Sequence, residues 1–187
     1  MWRCFVPALL IAALASCGSG DTLPKQRSAG DSADRAALAA FSLASDDFRD
    51  GRPIPAVHAC DGADLSPALS WDEPPTGTKS LALVMDDPDA PGGTFRHWAA
   101  YDIPPTTRSI ARGTPVGKQA VNDFGKSGYA GPCPPKGHGP HRYRFRLYAV
   151  DVGGLSVPAG ATVEQVEAEA RRRQLGLAQI TGTYERK

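Results

Sequence analysis

The stretch LALVMDDPDAPGGTFRHWAAYDI, residues 81–103, constrains this chain more than any other. An apolar run from Leu81 to Met85 enters it and a second, Trp98 to Ile103, leaves. Between them lie two prolines, two adjacent glycines, three aspartates and His97. Short apolar runs bounded by Pro, Gly and Asp read as strands joined by a loop. Pro88 and Pro91 each fix φ and push the preceding residue toward extended geometry, so the loop is expected to be stiff. A stiff loop between core strands can hold an Asp and a His in a set relation. The alternative is an ordinary hairpin whose carboxylates only solvate the turn.

The N-terminus reads as an address. Arg3 precedes an almost wholly apolar run, Phe5–Leu14, which is short for a bilayer span and suits a signal-peptide core. It ends in Leu14-Ala15-Ser16-Cys17, which resembles the lipobox of bacterial lipoproteins. That resemblance implies a signal peptide over residues 1–16, lipidation at Cys17 and attachment to a membrane through that lipid. A plain secretory peptide with an incidental Cys17 is the alternative, and both take the mature chain out of the cytoplasm. Residues 17–38, rich in Gly, Ser, Asp and Ala, show no apolar periodicity and read as a flexible tether with a span of about 25 Å. With Cys4 lost and Cys17 lipidated, Cys60 and Cys133 remain, a pair expected to be bridged in an oxidising compartment. Two buried free thiols are the alternative. A zinc pair is disfavoured because neither cysteine belongs to a CxxC motif.

Residues 39–187, about 150 in number, suit one domain with its own core. Without residues 1–16, which hold a single cation, the chain carries 20 cations against 20 anions. That balance argues against a nucleic-acid partner, which needs a basic excess or stripe. The run His141–Arg146 is locally basic, but it alternates as a strand does, with Tyr143, Phe145 and Leu147 on one face and Arg142, Arg144 and Arg146 on a wet one. Further strands are expected over residues 40–43, 68–71, 79–85, 98–103, 143–151 and 177–184. With 17 prolines and 20 glycines spread through the loops, this is a mainly β pattern. One helix is expected from Val163 to about Leu175, capped by Thr162 and Gln165, with a solvated charged face and Gly176 as its stop.

A second dense stretch, Asn122–Tyr143, holds four prolines and five glycines between Gly125 and His141 and must be a shaped loop feeding the Tyr143 strand. Here His138 reads as a loop histidine bonded to backbone. Taken together, Asp87-Pro88-Asp89-Ala90-Pro91 with His97, Gly131-Pro132-Cys133-Pro134-Pro135, and His141-Arg142-Tyr143 resemble the phosphatidylethanolamine-binding protein family. The bacterial, Raf-kinase-inhibitor-like branch is the nearest match. His58-Ala59-Cys60-Asp61-Gly62, Asn122-Asp123-Phe124-Gly125 and Gly182-Thr183-Tyr184 add to the resemblance, which runs from about Phe41 to Tyr184. It implies a large antiparallel sheet packed on a smaller one, a C-terminal helix, and a small cavity for phosphate, acetate or a phosphorylated headgroup. By motif position it implies Asp87, Asp89, His97, Gly131, Pro135, His141 and Tyr143 as ligand-binding residues, with no catalytic residue, metal or cofactor.

The residue types suit that expectation. Imidazole, phenol and glycine-flanked backbone N–H groups can donate to a phosphoryl oxygen, more strongly when the imidazole is charged. Asp87 would repel an anion, so its expected work is to orient and charge His97 or His141, or to hold a ligand's amine or a shared proton. Two rival readings use the same residues: acid–base catalysis by Asp87, His97 and His141, for which no GxSxG elbow supplies a nucleophile, and zinc held by those three groups. A third is an inhibitor or interaction module acting on an envelope protease or kinase.

Overall fold

The computed structural model describes residues 41–187; the expected signal peptide, the expected lipidation at Cys17 and the expected tether fall on residues outside them. The chain runs β1 (Leu43–Ser45), β2 (Arg52–Pro53), β3 (Leu69–Trp71), β4 (Ser80–Asp87), β5 (Phe95–Ile103), β6 (Ser109–Ile110), β7 (Lys118–Gln119), β8 (His141–Val150), α1 (Val163–Arg173) and β9 (Gln174–Tyr184). Six strands form one sheet in the order β2-β9-β8-β4-β5-β7, and three form a second in the order β1-β3-β6. All neighbours are antiparallel except the edge pair β2 and β9. The fold is therefore mainly β, two sheets and a C-terminal helix, as expected.

β4 lies between β8 and β5 near the middle of the large sheet, and all eight of its residues are buried. Leu81, Leu83 and Met85 face the small sheet with Trp71, Phe145 and Leu147, while Ala82 and Val84 face α1 with Tyr148, Val163 and Val166. A strand covered on both faces needs apolar residues at every position, which is why residues 81–85 show no alternation. α1 starts in a complete capping box: the Gln165 N–H donates to Thr162 Oγ1 (3.3 Å) and the Thr162 N–H to Gln165 Oε1 (3.0 Å).

Three expectations need correction. The helix does not stop at Gly176. It ends at Arg173 and the chain turns at once into β9, whose ladder with β8 takes over the backbone hydrogen bonds. Gly176 lies within β9, where an added Cβ would come 2.7 Å from the Pro75 ring. The arginine face of β8 is not wet throughout, because α1 covers its far half. Arg146 is 4% exposed and pairs with Asp86 and Glu167, while Arg144 forks onto Asp86 at 2.8 Å on each oxygen. Nor is the charged face of α1 fully solvated: Glu167 is buried, accepts from the Tyr148 hydroxyl (3.0 Å) and pairs with Arg171. Alternation tells which residues share a face, not what covers that face.

Candidate functional site

The site gathers at the end of the large sheet where β4 gives way to β5 and β8 begins. Asp87 closes β4. Its Oδ1 accepts the Asp89 N–H (2.8 Å), a local turn that bends the chain into the proline loop, and its Oδ2 accepts Nδ1–H of His141 (2.7 Å). Asp87 and His141 come from 54 residues apart, yet both are almost fully buried and hydrogen-bonded to each other. His97, on β5, has its Nδ1 2.9 Å from the Ala130 carbonyl oxygen. A carbonyl only accepts, so the proton is on Nδ1 and the neutral ring presents a lone pair at Nε2. Burial pushes the His97 imidazole below its ordinary range, against the opposing pull of the Ala130 carbonyl and the Asp87 carboxylate.

The second loop is tied down at nearly every step. The Tyr129 hydroxyl donates to the His58 carbonyl (2.7 Å), the Gly131 N–H to Asp64 Oδ1 (2.7 Å) and the Cys60 N–H to the Pro132 carbonyl (3.1 Å). Cys60 and Cys133 are joined by a disulfide, with Cα atoms 5.4 Å apart. At Gly131 a Cβ would stand 1.9 Å from the His58 carbonyl oxygen, so only glycine lets the two backbones pass.

These loops enclose a cavity of about 180 Å³ lined by Asp87, Ala90, Pro91, Phe95, His97, Phe124, Cys133, Pro134, Pro135 and His141. Of the residues singled out in the sequence, Asp87, His97, Pro135 and His141 meet there. Three others stand behind it. Asp89 gives both oxygens to Arg142, whose guanidinium and backbone N–H (2.6–2.9 Å) hold its carboxyl down at about 2. Tyr143 packs edge-on against the His97 ring, centroids 5.3 Å apart, and burial together with the nearby Asp87 carboxylate pushes its hydroxyl well above the usual phenol range. Gly131 borders a neighbouring cavity with Asp64 and Lys126.

Phe124 is a lining residue whose role the sequence reading left out. Asn122 builds its turn, accepting the N–H groups of Phe124 and Lys126 (3.1 Å each) and donating to the Gly128 carbonyl (3.0 Å). The turn holds Phe124 45% exposed at the rim, edge-on to Phe95 (4.7 Å) and His97 (5.5 Å). The Asn-Asp-Phe-Gly signature was the available signal. His138, expected to bond backbone through its side chain, instead has its Nδ1 3.1 Å from His141 Nε2. Asp64, which holds Gly131, carried no signal at all, because its partner lies 67 residues away.

A larger cavity of about 280 Å³ opens on the far side of Tyr129. It contains no histidine. Two of its polar side chains are already engaged, Trp98 Nε1–H with Gln119 Oε1 (2.8 Å) and Gln119 Nε2–H with the Val116 carbonyl (2.6 Å). The convergent titratable groups belong to the smaller one. Among the described residues no cluster of three metal-ligating side chains is present, so Asp87, His97 and His141 do not make the three-ligand zinc site weighed from sequence.

Comparison with known proteins agrees with this architecture. The family profile described as phosphatidylethanolamine-binding protein matches residues 44–185. A UPF0098 protein of Aquifex aeolicus is 47% identical over 154 residues, covering 79% of this chain and 90% of the relative. A Mycobacterium tuberculosis protein carrying a lipoprotein name, LppC, is 41% identical over 186 residues, covering 94% of this chain and 92% of the relative. The crystal structure of E. coli YbcL, described as a new member of the mammalian PEBP family, superposes with a TM-score of 0.74 at 33% identity, covering 79% of this chain and 99% of YbcL. This chain belongs to the phosphatidylethanolamine-binding protein family.

Proposed function

We propose that this protein is a lipid-anchored protein of the cell envelope that binds small phosphorylated anions without chemically altering them. The observation that carries the reading is the convergence of His97 and His141, from the starts of β5 and β8, on one cavity backed by Asp87. At about 180 Å³ the cavity is smaller than the roughly 300–1,000 Å³ of sites for drug-sized ligands, and it suits a phosphoryl group with a short substituent. Its polar side chains are Asp87, His97 and His141, and Asp87 is engaged by His141 and the Asp89 N–H, which supports its use in holding His141.

The tautomer of His97 refines the donor chemistry. A phosphomonoester monoanion carries both an O–H and acceptor oxygens. It can donate that O–H to the His97 Nε2 lone pair, whereas a fully ionised anion must wait for His97 to take up a proton.

Placement outside the cytoplasm rests on three features. They are the leader-like residues 1–16 ending at Cys17, the lipoprotein name of a relative aligned over 94% of the chain, and a disulfide of the kind that persists in oxidising compartments. No helix of the described residues is long and apolar enough to cross a membrane.

The test is a histidine-selective NMR titration with inorganic phosphate and then phosphoethanolamine. The four histidines, His58, His97, His138 and His141, are assigned by single substitution. Saturable shifts at His97 and His141, leaving buried His58 unmoved, are expected. No shift, or equal shifts at all four, would remove this cavity as the anion site.

A further inference from the structure

The anion reading makes no use of His138. This residue is exposed, on a short loop whose flanking Gly137 and Gly139 both adopt positive φ (74° and 84°), a path glycine follows without strain. The loop is fastened by the His138 N–H to the Pro135 carbonyl and by the Gly137 N–H to the Arg186 carbonyl, both 3.2 Å. It brings His138 Nδ1 to within 3.1 Å of His141 Nε2. From behind, Asp87 Oδ2 accepts the Nδ1–H of His141 (2.7 Å), which leaves the lone pair of the neutral ring at Nε2.

We propose that His138 Nδ1 and His141 Nε2 form a two-histidine site for a transition-metal dication, copper(II) or zinc(II), with its remaining positions open to water or an anion.

The geometry matches. With metal–nitrogen distances of about 2.0–2.1 Å, two nitrogens on one ion stand about 3.3 Å apart at a tetrahedral angle and about 2.9 Å at a right angle. The separation here lies between those values. Loading the site replaces the imidazole–imidazole hydrogen bond. The proton on His138 Nδ1 shifts to Nε2 of the same ring, so no net proton is gained or lost.

Asp87 completes the arrangement. A carboxylate on the far nitrogen of a metal-bound histidine fixes its tautomer and raises its basicity, and losing such a partner typically costs about 10–100-fold in affinity. Asp87 is also the counter-charge nearest His141, since Asp89 is engaged by Arg142.

Calorimetric titration of the purified full chain with copper(II), and separately zinc(II), in a phosphate-free, non-coordinating buffer tests the site. Copper EPR provides an independent readout. One equivalent of metal is expected, with nitrogen hyperfine structure on copper and tighter binding of copper than of zinc. His138→Ala changes an exposed side chain, and its fold is checked by circular dichroism; it should weaken copper binding at least tenfold. Asp87→Asn should also weaken it about tenfold. Absence of stoichiometric binding, or an affinity that His138→Ala does not alter, would overturn the proposal. Because the buffer contains no phosphate, the outcome is independent of the anion reading.

Discussion

At the scale of single residues, the decisive atom under the proposed anion-binding function is Nε2 of His97, because its chemistry would set which anions the cavity holds. Near neutral pH it is an acceptor, so inorganic phosphate, which can donate an O–H, should bind more tightly than sulfate, which cannot. As pH falls below about 6.5 toward the depressed value of His97, the ring becomes a donor and the gap should close; His97→Gln should remove the pH dependence of sulfate binding. Calorimetry of both anions between pH 8 and pH 5 reads this directly, and a constant phosphate-to-sulfate ratio would count against the assignment. Folding carries the opposite sign. A histidine with a lowered folded value takes up its proton first in the unfolded chain, so its contribution to stability is present above about 6.5 and is lost as pH falls through the folded value. Gly131 makes the second prediction at this scale. A methyl group there meets the His58 carbonyl oxygen at 1.9 Å, so Gly131→Ala should cost about 2 kcal/mol or more in denaturant unfolding and displace the loop that His97 leans on.

At the scale of elements, the seam between α1 and the large sheet holds a buried ionic network. Asp86 follows Ala82 and Val84 on the helix-facing side of β4, where it is met by Arg144 and Arg146 from β8; Arg146 also reaches Glu167 of α1. Removing one member leaves carboxylates buried without full compensation. Arg146→Met should therefore destabilise the protein by about 3 kcal/mol, measured by urea unfolding. A double substitution, Arg146→Met with Glu167→Gln, should recover part of that loss, and a purely additive result would show that the two charges do not communicate. The same seam shows where reading by element reaches its limit. The alternation of β8 and the N-terminal cap of α1 were legible because they are local, but nothing local to Arg146 says that a helix 17 or more residues later will cover it.

At the scale of the whole molecule, the disulfide joins two loops separated by 73 residues, and both loops border the cavity region. Closing a loop of that length removes unfolded-state entropy worth about 4 kcal/mol in the chain-entropy account. Reduction should lower the urea midpoint accordingly, and Cys60→Ser with Cys133→Ser should reproduce the shift without reductant. An unchanged midpoint would mean the hydrogen bonds from Tyr129, Gly131 and Cys60 already restrain the loops without it. The sequence by itself determined the β class, the central strands to within a few residues (expected at 79–85, 98–103 and 143–151, found at 80–87, 95–103 and 141–150), the N-terminally capped helix, and the two Pro- and Gly-rich loops, one holding Pro135, whose flanking strands carry Asp87, His97 and His141. Each of these is encoded in short-range patterns of apolar spacing, proline, glycine and capping residues. The tertiary structure alone decided that Asp87 bonds His141 rather than His97, that Asp89 serves Arg142, that Phe124 rims the cavity, and that His138 meets His141. Those pairings depend on side-chain directions and on contacts between loops far apart in the chain, which no local spacing records.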